Sequence, residues 1–322
     1  MKKSILFLLL AIGILFVAVF TVSGQEADTV VLTLLGTNDM HSYAIEKPDS
    51  VKEGEVAKTG RIGYAKIAAY KKSVAENGPV LLFDAGDTTH GQVIATLLEG
   101  ESIIWLMNEA GYDGMTAGNH DFNYGYQKVI DFDYMADFPI LISNLTYKDT
   151  GMNVMPQYAI YNVGDIKVGV FGVMTPETYY KSSPVNTEGL DITDPYEAGK
   201  KMSEFLRPHV DVVVALSHLG VDGGSEFVST GLAEAAPEID VIFDGHSHTL
   251  MEEPVIVGDT LIIQGGEHGR NISQVKVTLK LGESATDRMT IVSKEGSLVT
   301  YEALMETEPD ADVLDMTTRF RP

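Results

Sequence analysis

The chain has 322 residues, 44 % apolar and 21 % charged, enough to bury a sizeable core as one large domain or two ordinary ones. Its formal charge of −23 would repel duplex phosphates and excludes general nucleic-acid binding. A small phosphorylated substrate is not excluded, because bound cations invert the local field, and the absence of cysteine leaves only His, Asp and Asn to hold such ions.

Lys2 and Lys3 precede an almost unbroken apolar run from Ile5 to Val22, and small and polar residues follow from Ser23 to Ala27. This reads as an export signal over residues 1–27, which predicts a secreted, periplasmic or cell-surface protein. The run is also just long enough for an uncleaved anchor, the one circumstance that would involve a membrane.

Beyond Asp28, strand-like and helix-like stretches alternate, which predicts α/β or mixed α+β architecture. Strands are expected at Val30–Leu35, Val80–Asp84, Gly114–Ala117, Ile140–Ser143, Tyr158–Val163, Ile166–Phe171, Val212–Leu216, Val241–Asp244, Leu261–Gln264 and Gln274–Leu281. Helical periodicity covers Arg61–Glu76, Glu101–Ala110 and Glu197–Leu206, and Asn77-Gly78-Pro79 should stop the first of these. Asp165, between two apolar runs, predicts a tight hairpin. The acidic tail holds no strand pattern, and residues 301–322 read as the start of a linker.

Five apolar runs end in polar clusters: TNDMH (Thr37 to His41), AGDTTH (Ala85 to His90), AGNHD (Ala117 to Asp121), LSH (Leu216 to His218) and DGHSH (Asp244 to His248). Ligands at the carboxyl ends of neighbouring strands converge on one crevice of an α/β sheet. Asp39 and His41 stand two residues apart, as do His246 and His248, and on an extended segment each pair would share a face. Asp87 offers a carboxylate able to bridge two ions, Asn119 a neutral oxygen, and His120 a group for acid–base work. Each cluster alone reads equally as a polar loop. Six of the eight histidines fall within them, and that concentration predicts a metal site.

Taken in order, D-x-H, G-D, G-N-H-D, S-H and G-H-x-H resemble the calcineurin-like metallophosphoesterase superfamily. The wording TNDMHS, GDTTHG, GNHDFNYG and DGHSH is similar to its secreted 5′-nucleotidase and 2′,3′-cyclic nucleotide phosphodiesterase family, from about Val30 to about Leu281. The resemblance implies a four-layer α-β-β-α sandwich, the metallophosphoesterase fold, as a catalytic domain over residues 28–300. It implies two divalent ions (Mn, Zn, Fe or Co), one held by Asp39, His41, Asp87 and His248. Asp87 would bridge to the second, held by Asn119, His218 and His246. Similar enzymes often carry Gln where this chain has His248.

The implied reaction is in-line attack on a nucleotide or other phosphate ester by a hydroxide that the two ions activate. Asn119 and His120 would contact the substrate, and His120 would stabilise the transition state or assist the leaving oxygen. Related 5′-nucleotidases pair this histidine with an Asp three residues on. This chain has Asn123 there, which leaves Asp121 as a candidate substitute, and His90 is a further candidate nearby. The Phe-Asn-Tyr-Gly wording resembles the cyclic-nucleotide branch and favours diesterase activity. Family members usually continue into a second domain that sandwiches the base. The resemblance therefore implies an absent C-terminal nucleotide-binding domain, and loose specificity or a separate base-binding partner chain. Two other readings stay open here: a thiosulfohydrolase-like enzyme on the same scaffold, and a non-catalytic metal-binding remnant.

Overall fold

The computed structural model describes residues 29–282 and 288–320, so the export segment expected over residues 1–27 lies outside the described residues. Two sheets carry the fold. The first contains β1 (Thr29–Thr37), β2 (Val80–Asp84), β3 (Gly114–Met115), and two strands from late in the chain. The second contains β4 (Tyr158–Val163), β5 (Ile166–Met174), β6 (Val212–His218), β7 (Val241–Asp244), β8 (Val255–Val257) and β9 (Thr260–Ile263). The late strands β10 (Asn271–Lys280) and β11 (Thr290–Thr300) then return to the first sheet, giving the order β11-β10-β1-β2-β3. In the second sheet the order is β8-β9-β7-β6-β5-β4. The strands that lead into the polar clusters run parallel within each sheet: β1 with β2, β2 with β3, and β6 with β7. Their carboxyl ends therefore lie side by side.

Side-chain alternation explains the layering. On β6, Val212, Val214 and Leu216 point between the sheets, where they meet Leu32, Leu34, Leu81 and Phe83 from β1 and β2. Val213 and Ala215 point the other way, under helices α4 (Pro195–Leu206) and α5 (Ser229–Ala235). On the first sheet, Leu35 and Leu82 face the opposite helical layer, built from α1 (Tyr64–Ala75), α2 (Glu101–Ala110) and α3 (Tyr126–Met135). Both faces of the central strands are covered, which is why they read as unbroken apolar runs rather than alternating ones. The result is the α-β-β-α sandwich. The two sheets approach closely at Gly36, where a Cβ would lie 2.3 Å from the Phe243 ring.

Two expectations are corrected. Residues 140–143 do not form a strand; Ile140 makes one isolated bridge to Met115. The amides of Leu141, Ile142 and Ser143 go to three different segments, at Met115, Pro156 and Gly172, so the run stitches the first sheet to the second. Residues 301–320 of the stretch read as the start of a linker also fold against the core. After a short turn, α6 (Ala311–Arg319) docks on α1 and α2 with Val313 fully buried. Asp310 caps it by accepting from Val313 N–H and pairs with Lys72 at 2.5 Å, while the buried Lys66 ammonium donates to the Met305 carbonyl.

Candidate metal centre and active site

Each polar cluster sits at the carboxyl end of a strand and turns into the gap between the sheet edges. Asp39, His41 and His248 form one group and Asp87, His218 and His246 a second, the ligand atoms of each lying within 4.8 Å of one another. The carboxylate of Asp39 also comes within 4.0 Å of His218 Nε2, which joins the two groups into one centre. The spacing of two residues does not work through an extended backbone. Asp39, His41, Asp87, His246 and His248 all have left-handed φ, at 47°, 43°, 57°, 75° and 54°. The tight turn sends Asp39 and His41 to one group but splits His246 and His248 between the two.

Three features of the geometry call for cations here. His41 Nε2 and His248 Nε2 face each other at 3.2 Å. The Asn119 Oδ1 atom is buried and accepts no hydrogen bond among the described residues. His218 donates Nδ1–H to the Ala85 carbonyl at 2.7 Å, which leaves the Nε2 lone pair, itself without a well-aligned hydrogen bond, 3.2 Å from Asp87 Oδ2. Imidazole nitrogens, carboxylates and an unpaired amide oxygen converging in this way form a donor set that fits two divalent ions.

The same demand appears in the ionisation of the groups. Burial would depress His218, but the carboxylates of Asp87 and Asp39 outweigh it and raise the imidazole to about 10. Burial would raise Asp87, yet the imidazoles of His218, His120 and His41 hold it well below the usual carboxylate range. Deeper in the strand ends, burial raises Asp84 to about 7 against hydrogen bonds from Thr37, Thr88 and the Gly86 amide.

Gly118 makes room for the ligands: a Cβ there would lie 2.2 Å from Asp87 Oδ1 and 2.6 Å from His218 Cε1. His120 follows directly. Its amide donates to Asp87 Oδ1 at 2.7 Å, and its ring lies 5.3 Å from that of His41, at the edge of the centre.

Asp121 does not serve as its partner. The carboxylate is buried and accepts from the amides of Asp87, Thr88, Thr89 and Gly118 and from the Thr89 hydroxyl, at 2.7 to 3.0 Å. Its task is to hold the loop that carries Asp87. Asn123 is the residue that meets His120, with Nδ2 2.9 Å from His120 Nδ1 and 3.1 Å from His90 Nδ1. Ser182 Oγ donates to Asn123 Oδ1 at 3.1 Å, which turns the amide nitrogen toward both rings. The His120 proton is thereby placed on Nε2.

Sequence reasoning missed three residues at the centre. Glu177 is buried with Oε2 3.0 Å from His246 Nε2, and Lys181 Nζ lies 2.9 Å from the same oxygen. Burial would raise Glu177, but Lys181, the Glu226 amide and His246 together hold it at about 2. Glu267 Oε2 is 2.6 Å from His248 Nδ1. The signal was available: TPET follows β5 and QGGEHG follows β9, the same pattern of apolar run and polar cluster.

The sequence profile of the family described as Calcineurin-like phosphoesterase matches residues 32–250. The chain is 29 % identical over 311 residues to the Bacillus subtilis protein named Endonuclease YhcR, covering 90 % of this chain and 25 % of that one. It is 30 % identical over 286 residues to a Vibrio cholerae 5′-nucleotidase, covering 80 % of this chain and 51 % of the relative. Among solved structures, the 5′-nucleotidase precursor of Thermus thermophilus superposes with a TM-score of 0.73 at 27 % identity, over 90 % of this chain and 58 % of that one. The chain thus spans a quarter to a half of the length of these curated relatives. On the family match and the fold, the chain belongs to the calcineurin-like phosphoesterase family.

Proposed function

We propose that the chain is an exported, metal-dependent phosphohydrolase that cleaves phosphate esters of nucleotides. The observation that carries this reading is the convergence of two ligand groups on one centre, with His120 at its edge. Asp39, His41 and His248 would hold one divalent ion and Asp87, Asn119, His218 and His246 a second, and the pair would supply Lewis-acid polarisation of a phosphoryl group and an activated water. Asp87 faces His218 in the second group, its carbonyl accepts the amide of His41 from the first, and its carboxylate accepts the His120 amide. His120 presents Nε2–H to a phosphoryl or leaving oxygen, a position from which it stabilises negative charge. The 5′-nucleotidase names among the relatives support a nucleotide as substrate.

The test is turnover of p-nitrophenyl phosphate, bis-p-nitrophenyl phosphate, AMP and a 2′,3′-cyclic nucleotide with Mn²⁺ or Zn²⁺, repeated with chelator. Hydrolysis that disappears with chelator and returns with metal is expected; inert metal-loaded protein overturns the reading. The ratio of monoester to diester rates decides between the nucleotidase and cyclic-phosphodiesterase forms. Export is tested separately, by sequencing the amino terminus of protein recovered outside the cytoplasm.

A further inference from the structure

Each ligand group contains one histidine whose second ring nitrogen rests on a carboxylate outside the group. For His248 that nitrogen is Nδ1, 2.6 Å from Glu267 Oε2. For His246 it is Nε2, 3.0 Å from Glu177 Oε2. A neutral imidazole has one N–H, and a carboxylate beside one nitrogen keeps the proton there and leaves the lone pair on the other. The two histidines are therefore held in opposite tautomers. His248 offers Nε2, the atom that lies 3.2 Å from His41 Nε2 and 3.4 Å from Asp39 Oδ1. His246 offers Nδ1.

We propose that Glu267 and Glu177 are positioning residues, one for each ion, which fix the tautomers of His248 and His246 and so load the two ions independently. The proposal rests on the two-ion reading of the centre.

The surroundings of His246 make a positioning group necessary. Lys181 Nζ lies 3.1 Å from the same Nε2 and can only donate. If Nε2 accepted from it, the ring proton would move to Nδ1 and close that atom to an ion. Glu177 removes the conflict by accepting from both, since its Oε2 is also 2.9 Å from Lys181 Nζ. Its other oxygen accepts the Glu226 amide at 2.9 Å, and burial prevents the carboxylate from swinging away. Glu267 is freer, with its side chain 37 % exposed, so its hold on His248 is the weaker of the two.

The experiment is a competition titration of chelator-stripped protein with Mn²⁺ and with Zn²⁺, alongside metal counting by mass spectrometry. Wild type is expected to take up two ions. Glu267→Gln should weaken one binding step by about 10- to 100-fold and leave the other unchanged, and Glu177→Gln should weaken the other step. In a His41→Ala background, which lacks a ligand of the first group, Glu177→Gln should still weaken the remaining ion and Glu267→Gln should not. Nitrogen-15 imidazole spectra should show the His246 proton leaving Nε2 in Glu177→Gln. Lys181→Met should keep both ions. The double variant Glu177→Gln/Lys181→Met removes both charges of the Glu177–Lys181 pair and guards against misfolding; it should remain weak in the same step. Wild-type affinity for both ions in both Gln variants overturns the proposal, as does a loss in Lys181→Met equal to that in Glu177→Gln. A wild type that binds no divalent ion defeats the two-ion reading itself.

Discussion

Asp121 spends both carboxylate oxygens on five donors, four of them on residues 87–89 of one loop and the fifth on Gly118 opposite. Asp121→Ala leaves those buried donors unmatched, and urea unfolding should show a loss of about 3 kcal/mol together with reduced metal content. Asp87 lies 3.2 Å from His218 Nε2 in its own group, and its carbonyl accepts the amide of His41 from the other, so Asp87→Asn should lose both ions and activity together. Retained metal in that variant would refute the bridging role. His120 stands outside the ligand groups. His120→Ala should keep both ions, counted by mass spectrometry, while turnover falls by about 10²- to 10⁴-fold. Loss of an ion instead would make His120 a ligand.

At the scale of elements, most of the fold was legible because its strands are long apolar runs buried on both faces. β2 and β7 fall where the patterns put them for that reason; α2 also does, by its helical period, and so does the edge strand β4, whose Tyr-Ala-Ile-Tyr run marks it although no residue in it is buried. What escaped has a common cause. β11 is an edge strand with most of its side chains at least partly exposed, so no apolar run marks it. α6 buries Val313 and Thr317 and packs Met316 and Phe320 beside them, a helical stripe of only two turns inside an acidic stretch, so it read as linker. Every candidate ligand position was legible as a strand-end polar residue, but the backbone that aims it was not, since Asp and His, though more frequent at left-handed φ than most side chains, take it at only a small share of their positions. Asp121 misled because its type suits catalysis and its neighbours in space, residues 87–89, are far off in sequence. Two substitutions test the packing. Gly36→Ala drives a Cβ into the Phe243 ring, wedged between the sheets, and should lower stability by about 1–3 kcal/mol in denaturant titration. Val313→Asp buries an unpaired charge under α6 and should cost at least as much, with the helix undocked as read by proteolysis.

For the whole molecule, the centre links stability to both pH and metal. In ion-free protein His218 is raised from 6.5 to about 10, so its contribution is complete below 6.5 and is lost as pH rises through 10. Asp84, raised from 3.8 to about 7, acts in the same direction: the folded chain holds a proton that the unfolded chain has released, so stability falls as pH rises from about 4 to about 7. Melting temperatures of chelator-stripped protein should therefore fall between pH 6 and pH 10. Saturating Mn²⁺ should flatten that slope, because a divalent ion satisfies the same carboxylates, and should add about 2.7 kcal/mol for each ion at a hundredfold excess over its dissociation constant. A slope that survives metal would detach His218 from the centre.

The left-handed turns at Asp39, His41, Asp87, His246 and His248 carry a further consequence. Each non-glycine residue there costs about 1–2 kcal/mol of backbone strain, which glycine would relieve. A sequence refined for heat resistance alone would thus drift toward glycine at these five positions and dismantle the centre without disturbing the core. Any search for thermostable variants that screens on melting point in the presence of chelator will select against the chemistry, and the screen has to be run with metal present.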